Sequence, residues 1–107
     1  MNFHSLYDQG FARVAAVTLP VHPARPFENA REIIDTAREL DARGVAVGVY
    51  PELCVSGYAI DDLLLSDVLL SDVLTAIETL RAASADLLPA LVVGAPLRLG
   101  DRLYNCA

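Results

Sequence analysis

The side chains able to do chemistry crowd into one stretch of this 107-residue chain: Tyr50-Pro51-Glu52-Leu53-Cys54-Val55-Ser56-Gly57-Tyr58. Glu52 follows Val45–Tyr50 (VAVGVY), six uncharged residues that read as a strand. In α/β sheets, ligands gather outside the carboxyl ends of strands. Pro51 fixes the backbone directly before the acid and presents it rigidly. A partly buried carboxylate in such a place has its charged form disfavoured, which suits a general base working near neutral pH. The competing reading is an ordinary solvated loop glutamate, and position alone does not exclude it.

Cys54 is two residues from Glu52 and shares its side of an extended segment. No His or Lys stands near it in sequence to lower its pKa, so a buried thiol is the expected fate of Cys54 and of Cys106. Tyr58 follows a glycine pivot and is a candidate for lining a substrate pocket, with simple packing as the alternative. Asn105 reads as a residue that fixes a turn or strand end. His4 and His22 have no partner at metal-ligand spacing and read as surface or loop residues. Asp61, Asp62, Asp67 and Asp72 match no calcium loop and read as helix-start carboxylates. Val55-Ser56-Gly57 lacks the first glycine of a nucleophile elbow, and Gly94-Ala95-Pro96 is no phosphate loop.

The elements that must position these residues alternate. Phe11–Thr18 (FARVAAVT) is an apolar run expected as a fully buried strand. Leu19–Pro26, with three prolines, is an irregular loop. From Phe27, Ala30, Ile33, Ile34, Ala37 and Leu40 share one helical face, and Gly44 is placed to cap that helix. Val45–Tyr50 is a second buried strand, and Pro51–Ile60 a loop. Leu63–Leu65 form a short helical turn. Leu69, Leu70, Val73, Leu74, Ile77 and Leu80 mark a longer helix, with Ser66 or Ser71 as its cap. Leu91–Ala95 is a third strand, and Gly100-Asp101 turns the chain so that Arg102–Ala107 returns antiparallel. The order β-α-β-α-β followed by a hairpin predicts an α/β sheet with parallel neighbours. A domain that ends inside a returning strand is expected to be part of a larger one.

Composition narrows the function classes. The chain is 54% hydrophobic with no Trp, and its mean hydropathy is +0.41, which argues against disorder. So many buried-type residues in a short chain also suit a part whose apolar faces await neighbours. The net charge is −6 and the eight basic residues, all Arg, are scattered. They form no phosphate-neutralising stripe, so nucleic acid is not an expected partner. There is no basic amphipathic helix for a membrane surface, and Leu87–Leu97 is too short and too broken by Pro89, Gly94 and Pro96 to span one. Two distant cysteines fit a reducing, cytoplasmic compartment.

The apolar strand, Tyr50-Pro51-Glu52-Leu53 and Ser56-Gly57-Tyr58 together resemble the first signature of the nitrilase, or carbon-nitrogen hydrolase, superfamily. Tyr50 stands where that signature usually has Phe. Leu91–Pro96 followed by Leu103-Tyr104-Asn105 resembles the superfamily's next strand and hairpin. Two further stretches resemble one branch, the long-form glutamine-dependent NAD synthetases. They are Ser5-Leu6-Tyr7 with Gly10-Phe11-Ala12-Arg13-Val14-Ala15, and Ser56-Gly57-Tyr58-Ala59-Ile60-Asp61-Asp62-Leu63-Leu64.

The resemblance implies the N-terminal part, residues 1–107, of a glutaminase domain built as an α-β-β-α sandwich. It implies a Glu-Lys-Cys triad in which Cys attacks the side-chain amide of glutamine, Glu is the general base and Lys helps hold the oxyanion. Glu52 takes the base's position. The 107 residues contain no lysine, so the Lys and the nucleophilic Cys are expected further along, and these residues alone are expected to be inactive. The released ammonia would serve a second domain, absent here, that uses ATP and Mg to amidate nicotinic acid adenine dinucleotide to NAD; this segment itself is expected to hold no cofactor. The resemblance further implies a homo-oligomer. Two alternatives stand beside it: a stand-alone nitrilase-type amidase with the same triad, and a non-catalytic α/β binding module such as a receiver-like domain. The latter wants an acidic pair after the first strand, where this chain has Thr18-Leu19-Pro20.

Overall fold

The computed structural model describes residues 4–107. Its elements are β1 (Val14–Ala16), α1 (Pro26–Ala42), β2 (Val47–Val49), α2 (Asp67–Ser84), β3 (Ala90–Val92), β4 (Ala95–Leu99) and β5 (Arg102–Cys106), with 3-10 helices at Tyr7–Gln9 and Asp61–Leu65. β1, β2 and β3 form a parallel sheet in sequential order, while β4 and β5 form a separate antiparallel pair. The expected order of strands and helices is therefore present, in a mixed α/β fold.

Both helices form where the apolar spacing puts them. α1 begins with Pro26 in its first turn, where a missing N–H costs nothing. The proline expected to close the loop thus opens the helix. α1 buries Ala30, Ile33, Ala37 and Leu40, and Gly44 beyond its end takes a left-handed φ of 68°. Ser66 caps α2, its Oγ accepting the Leu69 N–H at 3.3 Å; Ser71 lies within the helix. α2 buries Leu69, Leu70, Val73, Ala76 and Leu80. Leu74, expected on that face, is exposed, and Ala76 takes the inward position instead. Asp61 and Asp62 lie in the first turn of their 3-10 helix, and Asp67 in that of α2, where carboxylates are favoured by the helix dipole.

The parallel strands depart from expectation in length and burial. Each is three residues long, with the ladder continued by single bonds such as Ala46 N–H to Arg13 C=O at 2.7 Å and Tyr50 N–H to Val92 C=O at 2.9 Å. They are also not buried on both faces. In register, Ala15, Gly48 and Leu91 form the row turned toward the helices. The flanking rows are Val14, Val47, Ala90 and Ala16, Val49, Val92. These point the other way, leaving Val14 67%, Val49 46% and Val92 38% exposed. The continuous apolar runs are explained, because both faces are apolar, yet only one is covered among the described residues.

The expected third strand, Leu91–Ala95, is in fact two. β3 stops at Val92, and Ala95 opens β4 in the other sheet, with Val93 and Gly94 as the joint. The core gathers α1, α2, the Tyr50–Val55 turn and Ala95 into one cluster. No helix among the described residues is long and apolar enough to cross a membrane.

Candidate functional site

β2 is the central strand, so the residues after it leave the sheet between two neighbours. Tyr50 turns inward and is buried, its hydroxyl 2.9 Å from Thr36 Oγ1 and donating to the Ile33 carbonyl at 3.3 Å. Burial pushes its phenol up, against the Thr36 hydrogen bond. The hydroxyl that distinguishes Tyr50 from Phe is thereby satisfied on α1, away from Glu52.

The chain then reverses. The Cys54 N–H donates to the Pro51 carbonyl at 3.1 Å, and Leu53 adopts a left-handed φ of 52°. A branched side chain in that region costs on the order of 1 kcal/mol and persists only where its surroundings over-determine it. Here they do. The Leu53 carbonyl accepts N–H bonds from Gly57 at 2.8 Å and Ser56 at 3.2 Å, and Val55 N–H donates to the Gly94 carbonyl at 3.0 Å. Behind the turn, buried Asn29 donates to the carbonyls of Val55 at 2.9 Å and His22 at 2.8 Å, and accepts the His22 N–H at 2.6 Å. The Ala24 N–H reaches the Ser56 carbonyl at 2.7 Å. Glu52 thus rides on a turn clamped from three sides.

Gly94 is one of the clamps. A Cβ there would meet the Leu53 nitrogen, the Pro51 carbonyl oxygen at 2.9 Å and the Glu52 carbonyl carbon at 3.0 Å, all backbone. Only glycine lets the β3–β4 joint approach the turn this closely. That approach also aims the hairpin. Asn105 on β5 donates from Nδ2 to Glu52 Oε1 at 2.6 Å. Glu52, Asn105, Val49, Val92, Gly94 and Cys106 are among the residues lining an open groove of about 260 Å³.

The candidates from sequence are placed as follows. Glu52 lies in the groove with its carboxylate exposed rather than partly buried, because the apolar sheet face beside it is uncovered. Tyr58 is 67% exposed and does not line the groove. Cys54 is only 1% exposed, its thiol donates to the Gly94 carbonyl at 3.8 Å, and burial pushes that thiol up. It is a packing residue, as expected. Cys106 is half-buried in the groove wall. Asn105, a turn or strand-end residue by its sequence setting, bonds Glu52 instead. The two are 53 positions apart, so only the Tyr-Asn pair of the superfamily resemblance could have pointed to it.

A strand-end carboxylate with one oxygen held by an amide N–H keeps its other oxygen for a proton. Such a group is fit to take a proton from a thiol or a water delivered into the groove.

No protein-family model matches the sequence. Along all 107 residues the chain is 51% identical to the glutamine-dependent NAD(+) synthetase of Mycobacterium tuberculosis. The chain is similar along its whole length to glutamine-dependent NAD(+) synthetases. It spans 16% of that relative's length. Among solved structures, the glutamine-dependent NAD(+) synthetase from Cytophaga hutchinsonii has a TM-score of 0.81 and 26% identity, covering 89% of this chain and 16% of that one. An amidase from Nesterenkonia sp. has a TM-score of 0.70 and 28% identity, covering 79% of this chain and 32% of the other. The fold is thus shared by NAD(+) synthetases and an amidase.

Proposed function

We propose that these residues are the N-terminal segment of the glutaminase domain of a glutamine-dependent NAD synthetase, and that Glu52 is its general base. The observation that carries this reading is the Glu52 turn itself: a carboxylate at the end of the central parallel strand, clamped by Gly94 and bonded to Asn105, in a chain 51% identical to such synthetases throughout. The uncovered apolar rows Val14-Val47-Ala90 and Ala16-Val49-Val92 suit the inner face of an α-β-β-α sandwich, with a second sheet supplied by the rest of the domain.

In the proposed reaction Glu52 takes the proton of a cysteine thiol as that cysteine attacks the side-chain amide carbon of glutamine. The proton passes to the leaving amine, ammonia departs, and a thioester remains. Glu52 then takes a proton from the water that attacks the thioester and returns it to the cysteine sulfur as the C–S bond breaks, releasing glutamate. The oxyanion-binding lysine lies outside these residues, which contain none, and Cys54 is buried; the superfamily resemblance sets the nucleophilic cysteine further along the chain as well, leaving Cys106 in the groove wall. Tyr58, exposed on the same loop, is available to an approaching glutamine. The ammonia is consumed in a separate domain that uses ATP and Mg to convert nicotinic acid adenine dinucleotide to NAD, within a cytoplasmic homo-oligomer.

Glu52→Gln in the full-length enzyme tests this. The change is nearly isosteric, and loss of a general base removes about 10²–10⁴-fold in rate. Glutamine-dependent NAD synthesis is expected to fall by that much while synthesis from ammonium stays within a few fold. Parallel loss of both would make Glu52 a structural or coupling residue, and no loss would refute the assignment. The amidase likeness supports a second reading, a stand-alone amidase. That reading holds instead if the full-length protein releases ammonia from amides but makes no NAD from ammonium and ATP.

A further inference from the structure

We infer that Asn105 is a positioning residue for the Glu52 carboxylate, which makes the β4–β5 hairpin part of the glutaminase machinery; this rests on the general-base reading of Glu52. The Asn105 amide donates to Glu52 Oε1 at 2.6 Å across 53 residues of chain, and it is the one described side chain bonded to that carboxylate. Both residues are exposed, so water competes for each partner. A bond this short at an exposed rim needs its two backbones held in place.

The structure shows what holds them. Asn105 lies opposite Pro96 in the hairpin register, and Pro96 is fully buried. Two residues earlier, Gly94 is seated on the Pro51–Leu53 backbone, and its carbonyl accepts the Val55 N–H. The turn bearing Glu52 and the hairpin bearing Asn105 therefore leave one rigid joint, and the amide is carried back over the acid.

The chemical type of the partner matters as much as its place. A neutral amide fixes one carboxylate oxygen without contributing a titrating proton. An Arg or Lys there would form an ion pair and weaken the base. With Oε1 held by the amide, Oε2 is the oxygen left to take a proton.

The test uses the full-length enzyme, with glutamine-dependent and ammonium-dependent NAD synthesis measured side by side across pH. Displacing a catalytic group by about 1 Å can cost about 10²-fold. Asn105→Ala is expected to lower the glutamine kcat by about 10- to 100-fold, with KM for glutamine and the ammonium-dependent rate nearly unchanged. Asn105→Asp keeps the shape but faces Glu52 with a second acid, which disfavours ionisation of either. The acid limb of its glutamine-dependent profile is expected to move to higher pH. A residue that only shaped the hairpin would tolerate the isosteric Asp with its profile in place, and that outcome overturns the inference even if Asn105→Ala fails to fold. A wild-type glutamine kcat in Asn105→Ala, or a parallel fall in both activities, overturns it too. Glu52→Gln separates the two failures. If that variant is inactive with glutamine while the Asn105 variants are not, only the role of Asn105 falls; if it retains activity, the general-base reading falls first.

Discussion

Gly94→Ala adds one methyl group where the Glu52 turn leaves no room for it. The new Cβ would lie 2.9 Å from the Pro51 carbonyl oxygen and 3.0 Å from the Glu52 carbonyl carbon, with the Leu53 nitrogen nearer still. Uncrowded contacts between carbon atoms need about 3.5–4.0 Å, so the two backbones must part by roughly half an ångström or more. None of the three atoms belongs to a side chain that could swing aside. Overpacking of this kind costs about 1–3 kcal/mol. Parting the backbones also stretches the 3.0 Å bond from Val55 N–H to the Gly94 carbonyl, and the displaced segment carries Glu52. A misplacement approaching 1 Å costs on the order of 10²-fold in rate. The expected result in the full-length enzyme is a lowered melting temperature and a glutamine-dependent rate reduced by one to two orders of magnitude, with the ammonium-dependent rate preserved. Gly44→Ala is the control. A Cβ there meets nothing within 4 Å, but φ is +68°, so the change costs roughly 1 kcal/mol of left-handed strain without disturbing glutaminase activity. Gly94→Ala with an unchanged melting temperature and glutamine kcat would refute the claim that this close approach positions the acid.

Three more outcomes follow from the geometry. Asn29→Ala strands the His22 and Val55 carbonyls and the His22 N–H; at about 1–3 kcal/mol for a buried unsatisfied group, the denaturation midpoint should fall clearly, and an unchanged midpoint would show that water replaces the amide. Under a thiol reagent followed by peptide mass spectrometry, Cys106 should label first and Cys54 only with unfolding, because Cys54 is buried and its thiol is held above the usual range. Cys54 labelling should therefore stay slow as pH rises through the ordinary thiol range, and rapid labelling in the folded protein would contradict its burial. The 107 residues expressed alone should release no glutamate from glutamine and should self-associate through the exposed Val14, Val49 and Val92 rows. A monodisperse monomer with a cooperative thermal transition would show that this face needs no cover.

Local pattern determined much of this protein. Apolar spacing set both helices, Gly44 and a serine at 66 or 71 marked their ends, and Gly100-Asp101 set the hairpin, because each depends on residues within a few positions of one another. The place of Glu52 at a strand end was legible for the same reason: an uncharged strand, a proline and an acid are adjacent in the chain. Burial of the strands was half legible. Apolar side chains on alternate positions state that both faces of a strand avoid water, but not which neighbour covers each face. Only the tertiary structure decided that α1 and α2 cover the Ala15-Gly48-Leu91 row and leave the valine rows open. It also split Leu91–Ala95 into two strands, because Gly94 is drawn onto a turn some forty residues earlier in the chain. The bond between Asn105 and Glu52 belongs to the same class of fact. No local pattern encodes it, since the amide reaches the acid only after the hairpin has closed and its root has seated on the Glu52 turn.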